Sequence, residues 1–224
     1  ASDLFQAREK EIFATLKELA TWGCNFVLIG GYAVNAYTLP RFSVDCDMVV
    51  ENMSEAGKIG GVLSRSGYTK VEDDKSFARY EKTVENGLKA AADVLIGEVL
   101  DRQTGASFTA EWVFQHSAER SLKGKTIIEE LKLKIIGLDA LVAMKFVSGR
   151  ATDIRDVFML LPLAKDVEKI KAEISSRADF KAQFRKINGK VMSEKFRNDL
   201  QGVYGFVDNK TFEKHRKAVV GLPE

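Results

Sequence analysis

The chain of 224 residues is short of cysteine and histidine and has no long apolar run, and each shortage excludes something. Two cysteines, Cys24 and Cys46, imply no disulfide framework, and neither sits in a zinc-ligand spacing. The two histidines, His116 and His215, read as helix-surface residues rather than catalytic ones. No apolar stretch approaches 18 residues and no signal-peptide pattern opens the sequence, which predicts a soluble, cytoplasmic protein with no membrane partner. Internal repeats and low-complexity linkers are missing as well. A net charge of +2 neither demands nor excludes nucleic acid.

What is present suits a sizeable core. Hydrophobic residues make up 45% and charged residues 29%, enough for one large domain or two small ones. The charge is uneven: residues 164–224 hold 14 Lys and Arg against 9 Asp and Glu, net +5, and the rest of the chain is net −3. Such a basic tail is either a set of solvated helix faces or a surface for nucleic acid.

The densest stretch runs from Phe26 to Val50, FVLIGGYAVNAYTLPRFSVDCDMVV. Its pattern predicts a strand to Ile29, a turn at Gly30-Gly31, a helix, and a second strand carrying Asp45-Cys46-Asp47. Side chains alternate along a strand, so Asp45 and Asp47 share one face while Val44, Cys46 and Met48 face an apolar layer. Two carboxylate charges about 5 Å apart at an effective dielectric of about 20 repel by roughly 3 kcal/mol. They persist if a cation offsets them, if one stays protonated, or if water solvates them, and a hard divalent ion with oxygen ligands is the economical answer. The glycine pair, at the end of a strand and opening a helix, lets backbone N–H groups approach a phosphate. Either feature alone also occurs without any ligand; the pair at this spacing is far more specific.

Before that stretch, residues 3–22 read as an amphipathic helix stopped by Gly23. After it, a helix is expected over residues 54–64, then strands over 68–71, 77–84 and 91–96. The last holds Asp93 among apolar residues, either an ordinary strand-end carboxylate or a third member of the Asp45 and Asp47 group. Arg79 and Lys82 could meet phosphates, although a solvated strand face explains them equally. A helix over 109–116 and strands over 126–128 and 131–136 follow.

A second dense stretch, GLDALVAMKFVSGRATDIRDVFMLLP, gives two helices joined at residues 148–152. Asp139, Lys145, Arg150, Asp153 and Asp156 are patterned along it, with Asp153 and Asp156 on one helical face. They form either an inter-helix ion network or a group in which Lys145 contacts nucleotide phosphates. Beyond Pro162 the chain reads as helices broken at Gly189, Gly202 and Gly205. Phe180, Phe184, Phe196, Tyr204, Phe206 and Phe212 lie among basic residues, as core or as nucleic-acid surface.

Together the two stretches resemble the nucleotidyltransferase superfamily that includes DNA polymerase β, and more closely its AbiEii type, whose members include toxins of toxin–antitoxin systems. The likeness rests on Gly30-Gly31, Arg41, Ser43, Asp45 and Asp47, then Asp93, then Asp139, Lys145, Arg150, Asp153 and Asp156. It implies an α/β (α+β) nucleotidyltransferase fold, a mixed sheet flanked by helices, with a catalytic domain over 1–137 and a helical C-terminal region over 138–224 completing the cleft. It implies transfer of a nucleoside monophosphate from an NTP to an acceptor hydroxyl, which an RNA such as tRNA, a small molecule or a protein could each supply, with an antitoxin protein as a candidate partner; the alternative is a nucleotide-binding regulatory module with no turnover. Asp45, Asp47 and Asp93 would hold Mg2+ or Mn2+, with Asp93 also the base. Gly30 and Gly31 would cradle phosphate, Ser43 would bond near it or to the Asp45 backbone, and Arg41 and Lys145 would neutralise its charge. Arg79, Arg150 and Asp153 complete the set expected around the nucleotide.

Overall fold

The computed structural model describes residues 2–222. In chain order the elements are α1 (Ser2–Thr21), β1 (Val27–Ile29), α2 (Gly30–Val34), β2 (Asp45–Val50), α3 (Met53–Arg65), β3 (Thr69–Asp73), β4 (Phe77–Thr83), β5 (Lys89–Ile96), β6 (Glu98–Leu100), β7 (Ser107–Thr109), α4 (Ala110–Gln115), β8 (Ser117–Leu122), β9 (Leu131–Ile136), α5 (Leu138–Ser148), α6 (Ala151–Leu160), α7 (Val167–Ser175), α8 (Phe180–Val191), α9 (Phe196–Tyr204) and α10 (Asn209–Val220). They divide into two compact units. One comprises Ala1–Ala36, Pro40–Val99 and Phe108–Ile136; the other comprises Tyr37–Leu39, Leu100–Ser107 and Gly137–Glu224.

The first unit is a seven-stranded mixed sheet in the order β3-β4-β5-β2-β1-β9-β8. The two parallel pairs are β2 with β5 and β1 with β9, and the other neighbours are antiparallel. One face is apolar: Cys46, Met48 and Val50 of β2, Ala92, Val94 and Ile96 of β5, and Ala78 and Tyr80 of β4 are all buried. On it pack the buried stripe of α1, Ile12, Phe13, Leu16 and Leu19, and that of α3, Ala56, Ile59, Val62 and Leu63. Side chains at three- and four-residue spacing on a helix make such a stripe, and period-two alternation makes the matching sheet face. Gly60 is required here, since a Cβ on it would overlap the Tyr80 hydroxyl. The strands β6 and β7 form a separate two-stranded ribbon.

The second unit is helical. Phe158 lies at its centre, 5.0 Å from Phe196 and 5.1 Å from Phe212 between ring centroids, and Phe146 stacks on Phe180 at 5.4 Å. Aromatic rings of this size supply much of the apolar area a small helical core needs. No helix among the described residues is long and apolar enough to cross a membrane.

Several expectations need correction. Val44 is exposed and precedes β2 instead of joining the apolar layer. No strand forms over 126–128, where Ile128 is 98% exposed; the partner of β9 is the polar segment β8. Gly189 and Gly202 sit inside α8 and α9, and of the three glycines only Gly205, with φ 85°, ends a helix. His215 is buried, its Nδ1 3.0 Å from the Phe158 carbonyl, rather than on a helix surface.

Candidate active site

The parallel pairing of β2 with β5 sets Asp47 directly opposite Asp93 and Asp45 opposite Ala91. Across the next interface Arg79 of β4 stands opposite Asp93, and Glu81 opposite Ala91. Because opposed residues share a face, Asp45, Asp47, Asp93, Arg79 and Glu81 all lie on the side of the sheet away from the Cys46 and Tyr80 layer. Lys82 falls on the other face, where its Nζ meets Glu11 at 2.9 Å, so it leaves the group that alternation gives to Arg79.

Arg79 holds the acids together. Its Nη2 donates to Asp45 Oδ1 at 2.6 Å, its Nη1 to Asp93 Oδ2 at 3.1 Å and its Nε to Glu81 Oε1 at 3.4 Å. Glu81 is held in turn by Lys89 Nζ at 2.5 Å. Asp93 is buried, and its Oδ1 has no hydrogen-bond partner. Burial, and next the charge of Asp47, push the Asp93 carboxyl up to about 7 against the pull of Arg79. Cys46, between the two β2 acids, points into the core, and burial raises its thiol well above the usual range.

The glycine turn is shaped around these acids. Gly30 has φ 67°, in the left-handed region, and a Cβ on it would overlap the Asp47 carboxylate. A Cβ on Gly31 would overlap the Ser43 hydroxyl and come to 3.1 Å from Arg41 Nη2. The close approach of backbone to Asp47, Ser43 and Arg41 is therefore open to glycine alone. The helix that follows, α2, has only five residues, so what the turn offers an anion is its N–H groups more than a long helix dipole. Ser43 Oγ donates to the Asp45 carbonyl at 3.2 Å, one of the two alternatives expected for it.

Asn35 was not foreseen. It is fully buried and clasps Arg41 from both sides: the Arg41 N–H donates to Asn35 Oδ1 at 3.0 Å, and Asn35 Nδ2 donates to the Arg41 carbonyl at 2.9 Å. A lone amide in the apolar run from Tyr32 to Tyr37 was the available signal. Glu81 was also missed, although it is two residues from Arg79 on the same strand face.

The remaining candidates belong to the second unit. Lys145 Nζ meets Asp153 Oδ1 at 2.7 Å and Asp156 Oδ2 at 3.0 Å. Asp153 Oδ2 accepts from Ser148 Oγ at 2.8 Å and from Arg150 Nε at 3.0 Å, and Asp156 Oδ1 accepts from the Tyr204 hydroxyl at 2.6 Å. Asp139 stands apart, accepting the backbone N–H groups of Lys165 and Asp166. Lys145 thus takes part in an inter-helix ion network with Asp153 and Asp156.

As they stand, Asp45 and Asp93 are drawn to Arg79, and among the described residues no three His, Cys, Asp or Glu side chains are grouped to hold a metal ion. Their chemistry nonetheless fits one: all donors are hard oxygens, and Asp93 Oδ1 is a buried acceptor still lacking a partner.

No protein-family model matches the chain, and no curated protein does. Among solved structures it is similar to MenT4, a nucleotidyltransferase toxin from Mycobacterium tuberculosis, with a TM-score of 0.62 and 14% identity over 98% of this chain and 82% of that one. It is similar also to a protein from H. pylori provisionally named a nucleotidyltransferase, with a TM-score of 0.53 and 15% identity over 97% and 94% of the two chains. The seven-stranded mixed sheet with its flanking helices is thus a nucleotidyltransferase fold.

Proposed function

We propose that the chain is a nucleotidyltransferase that joins a nucleoside monophosphate to an acceptor hydroxyl and releases pyrophosphate. The observation that carries this is the register of β2 with β5, which brings Asp45, Asp47 and Asp93 to one sheet face against the glycine turn. In this reading Asp45, Asp47 and Asp93 hold Mg2+ or Mn2+, which when bound would stabilise the charge that builds on the triphosphate oxygens. Gly30 and Gly31 present backbone N–H groups to phosphate, and Arg41 beside them offsets its charge. Asp93 is the group proposed to take the proton of the acceptor hydroxyl as that oxygen bonds to the α-phosphorus and the bond to the β-phosphate oxygen breaks. Lys145, Arg150 and Asp153 enter as an ion network that ties α5 to α6.

We assign the acceptor to RNA such as tRNA, in the manner of an AbiEii-type toxin neutralised by an antitoxin. Two things support this: the likeness to MenT4, a nucleotidyltransferase toxin, and the net +5 of residues 164–224. An NTP and an RNA acceptor suit a cytoplasmic enzyme.

The test incubates the protein with each α-labelled NTP, Mg2+ or Mn2+, and total tRNA, with Asp45→Ala alongside. Label in RNA, reduced at least about a thousandfold in Asp45→Ala, is the expected result. Label on protein instead, or no label with any NTP, overturns the RNA assignment; equal labelling by Asp45→Ala overturns the site.

A further inference from the structure

Arg79 spends its guanidinium on the very carboxylates assigned to the metal. Three nitrogens reach three acids, Asp45 at 2.6 Å, Asp93 at 3.1 Å and Glu81 at 3.4 Å, and the two shorter contacts go to the acids of β2 and β5. The reach from β4 across β5 to β2 is possible because Ala91 lies between Asp45 and Glu81 in the same row, and a methyl group leaves the path open. Arg79 has other company on its own side. Glu81 is already at its Nε, and Glu72 of β3 stands opposite it in the β3–β4 pairing.

We propose that Arg79 is a resident counter-cation: it keeps the sheet acids in place in the metal-free protein, and a divalent ion must displace it toward Glu81 and Glu72 to bind. This rests on the reading of Asp45, Asp47 and Asp93 as the metal-binding set. A guanidinium and a divalent ion on the same carboxylate oxygens repel each other, so binding of one weakens binding of the other by the same factor. Three clustered carboxylates without any cation would repel one another. With Arg79 among them the cluster keeps a net negative charge that still attracts a divalent ion. Metal entry therefore exchanges one cation for another and leaves Arg79 paired with Glu81 and Glu72 at the edge of the site. Arg79 is a positioning residue in this scheme, and the two cations are alternatives rather than companions.

The experiment measures Mn2+ binding to the full chain without nucleotide, from the free-ion EPR signal, for the parent protein, Arg79→Gln and Asp47→Asn. Arg79→Gln is expected to bind Mn2+ about tenfold more tightly than the parent, within the usual range for two coupled ligands, and Asp47→Asn to bind it far more weakly. If Arg79→Gln binds no more tightly while Asp47→Asn still loses the ion, the counter-cation role is overturned and the metal site stands. If Asp47→Asn binds as well as the parent, the metal assignment falls and takes this proposal with it. A second readout needs no variant to fold: the Arg79 Nε–Hε resonance of the parent protein should shift as Mg2+ is added, and a resonance that stays put overturns the exchange.

Discussion

The two acid clusters differ in the company their carboxylates keep. In the helical unit all four oxygens of Asp153 and Asp156 are taken up by Lys145, Ser148, Arg150 and Tyr204, and both side chains are almost fully buried. On the sheet, Asp45 and Asp93 share Arg79, and Asp93 Oδ1 is buried without a partner. A saturated buried cluster does work for the fold, because removing one member strands the others as uncompensated charge. An unsaturated one carries a standing penalty that the fold alone does not explain. The difference separates a carboxylate that holds helices together from one that the proposed function gives to a metal ion.

The sharpest break in that comparison is Lys145→Met. It leaves two buried acids without their shared cation and is expected to cost about 3–5 kcal/mol in urea unfolding. A loss below about 1 kcal/mol would put the helical cluster in the same class as the sheet cluster. Next is Gly30→Ala, with Gly23→Ala as its control. Both positions have positive φ, 67° and 62°, but Gly23 has nothing within 4 Å of an added Cβ, whereas Gly30 has the Asp47 carboxylate. The backbone strain of about 1–2 kcal/mol is common to both, so the excess in Gly30→Ala measures the contact with Asp47. Equal losses would mean that Asp47 moves aside without cost.

Asp47→Asn removes a charge from the sheet cluster, and its effect on metal-free stability should show mainly in the pH dependence. The Asp93 carboxyl, near 7 in the fold and 3.8 ordinarily, keeps a proton that the unfolded chain has lost, so stability falls as pH rises from about 4 to about 7 and then levels. With the Asp47 charge gone that decline flattens, and thermal melts in EDTA across this range would detect it; an unaltered slope would assign the decline elsewhere. The smallest effect is expected in the helical unit and runs the opposite way. Burial lowers the His215 imidazole below its ordinary 6.5, so its contribution is complete above pH 6.5 and is lost as pH falls through the lowered value. His215→Gln should remove that acid-side slope while leaving the Asp93 decline intact.

The glycine turn and the paired acids were legible in the sequence because both are local: alternation puts Asp45 and Asp47 on one face, and a strand-to-helix turn favours glycine. Asp93 was legible as an odd acid in an apolar strand, but its place opposite Asp47 depends on strand order, which no local pattern encodes. Arg79 could be seen as a cation on β4 and not as a bridge, because the bridge needs Ala91 in register beneath it. The failure at 126–128 has a definite cause. Buried Glu9 takes the backbone N–H groups of Lys125 and Thr126, at 2.6 and 2.9 Å, which a β-ladder would otherwise use, and it overrides the strand preference of Thr126, Ile127 and Ile128. The partner of β9 was missed because SAERSL alternates too weakly to stand out as a strand. Gly189 and Gly202 misled because an exposed helix tolerates glycine at a cost of about 1 kcal/mol.

The parallel register of β2 with β5 also orders events during synthesis. Asp45 and Asp47 leave the ribosome well before Arg79 and Asp93: β2 has its antiparallel neighbour β1 already made, gains its parallel neighbour β5 only later, and β9 then joins the far side of β1. A nascent chain that ends before β4 carries Asp45 and Asp47 with neither Arg79 nor Asp93, and one that ends between β4 and β5 has gained Arg79 alone. In the proposed function the three acids act as a set, so that function waits on the strand that carries Asp93.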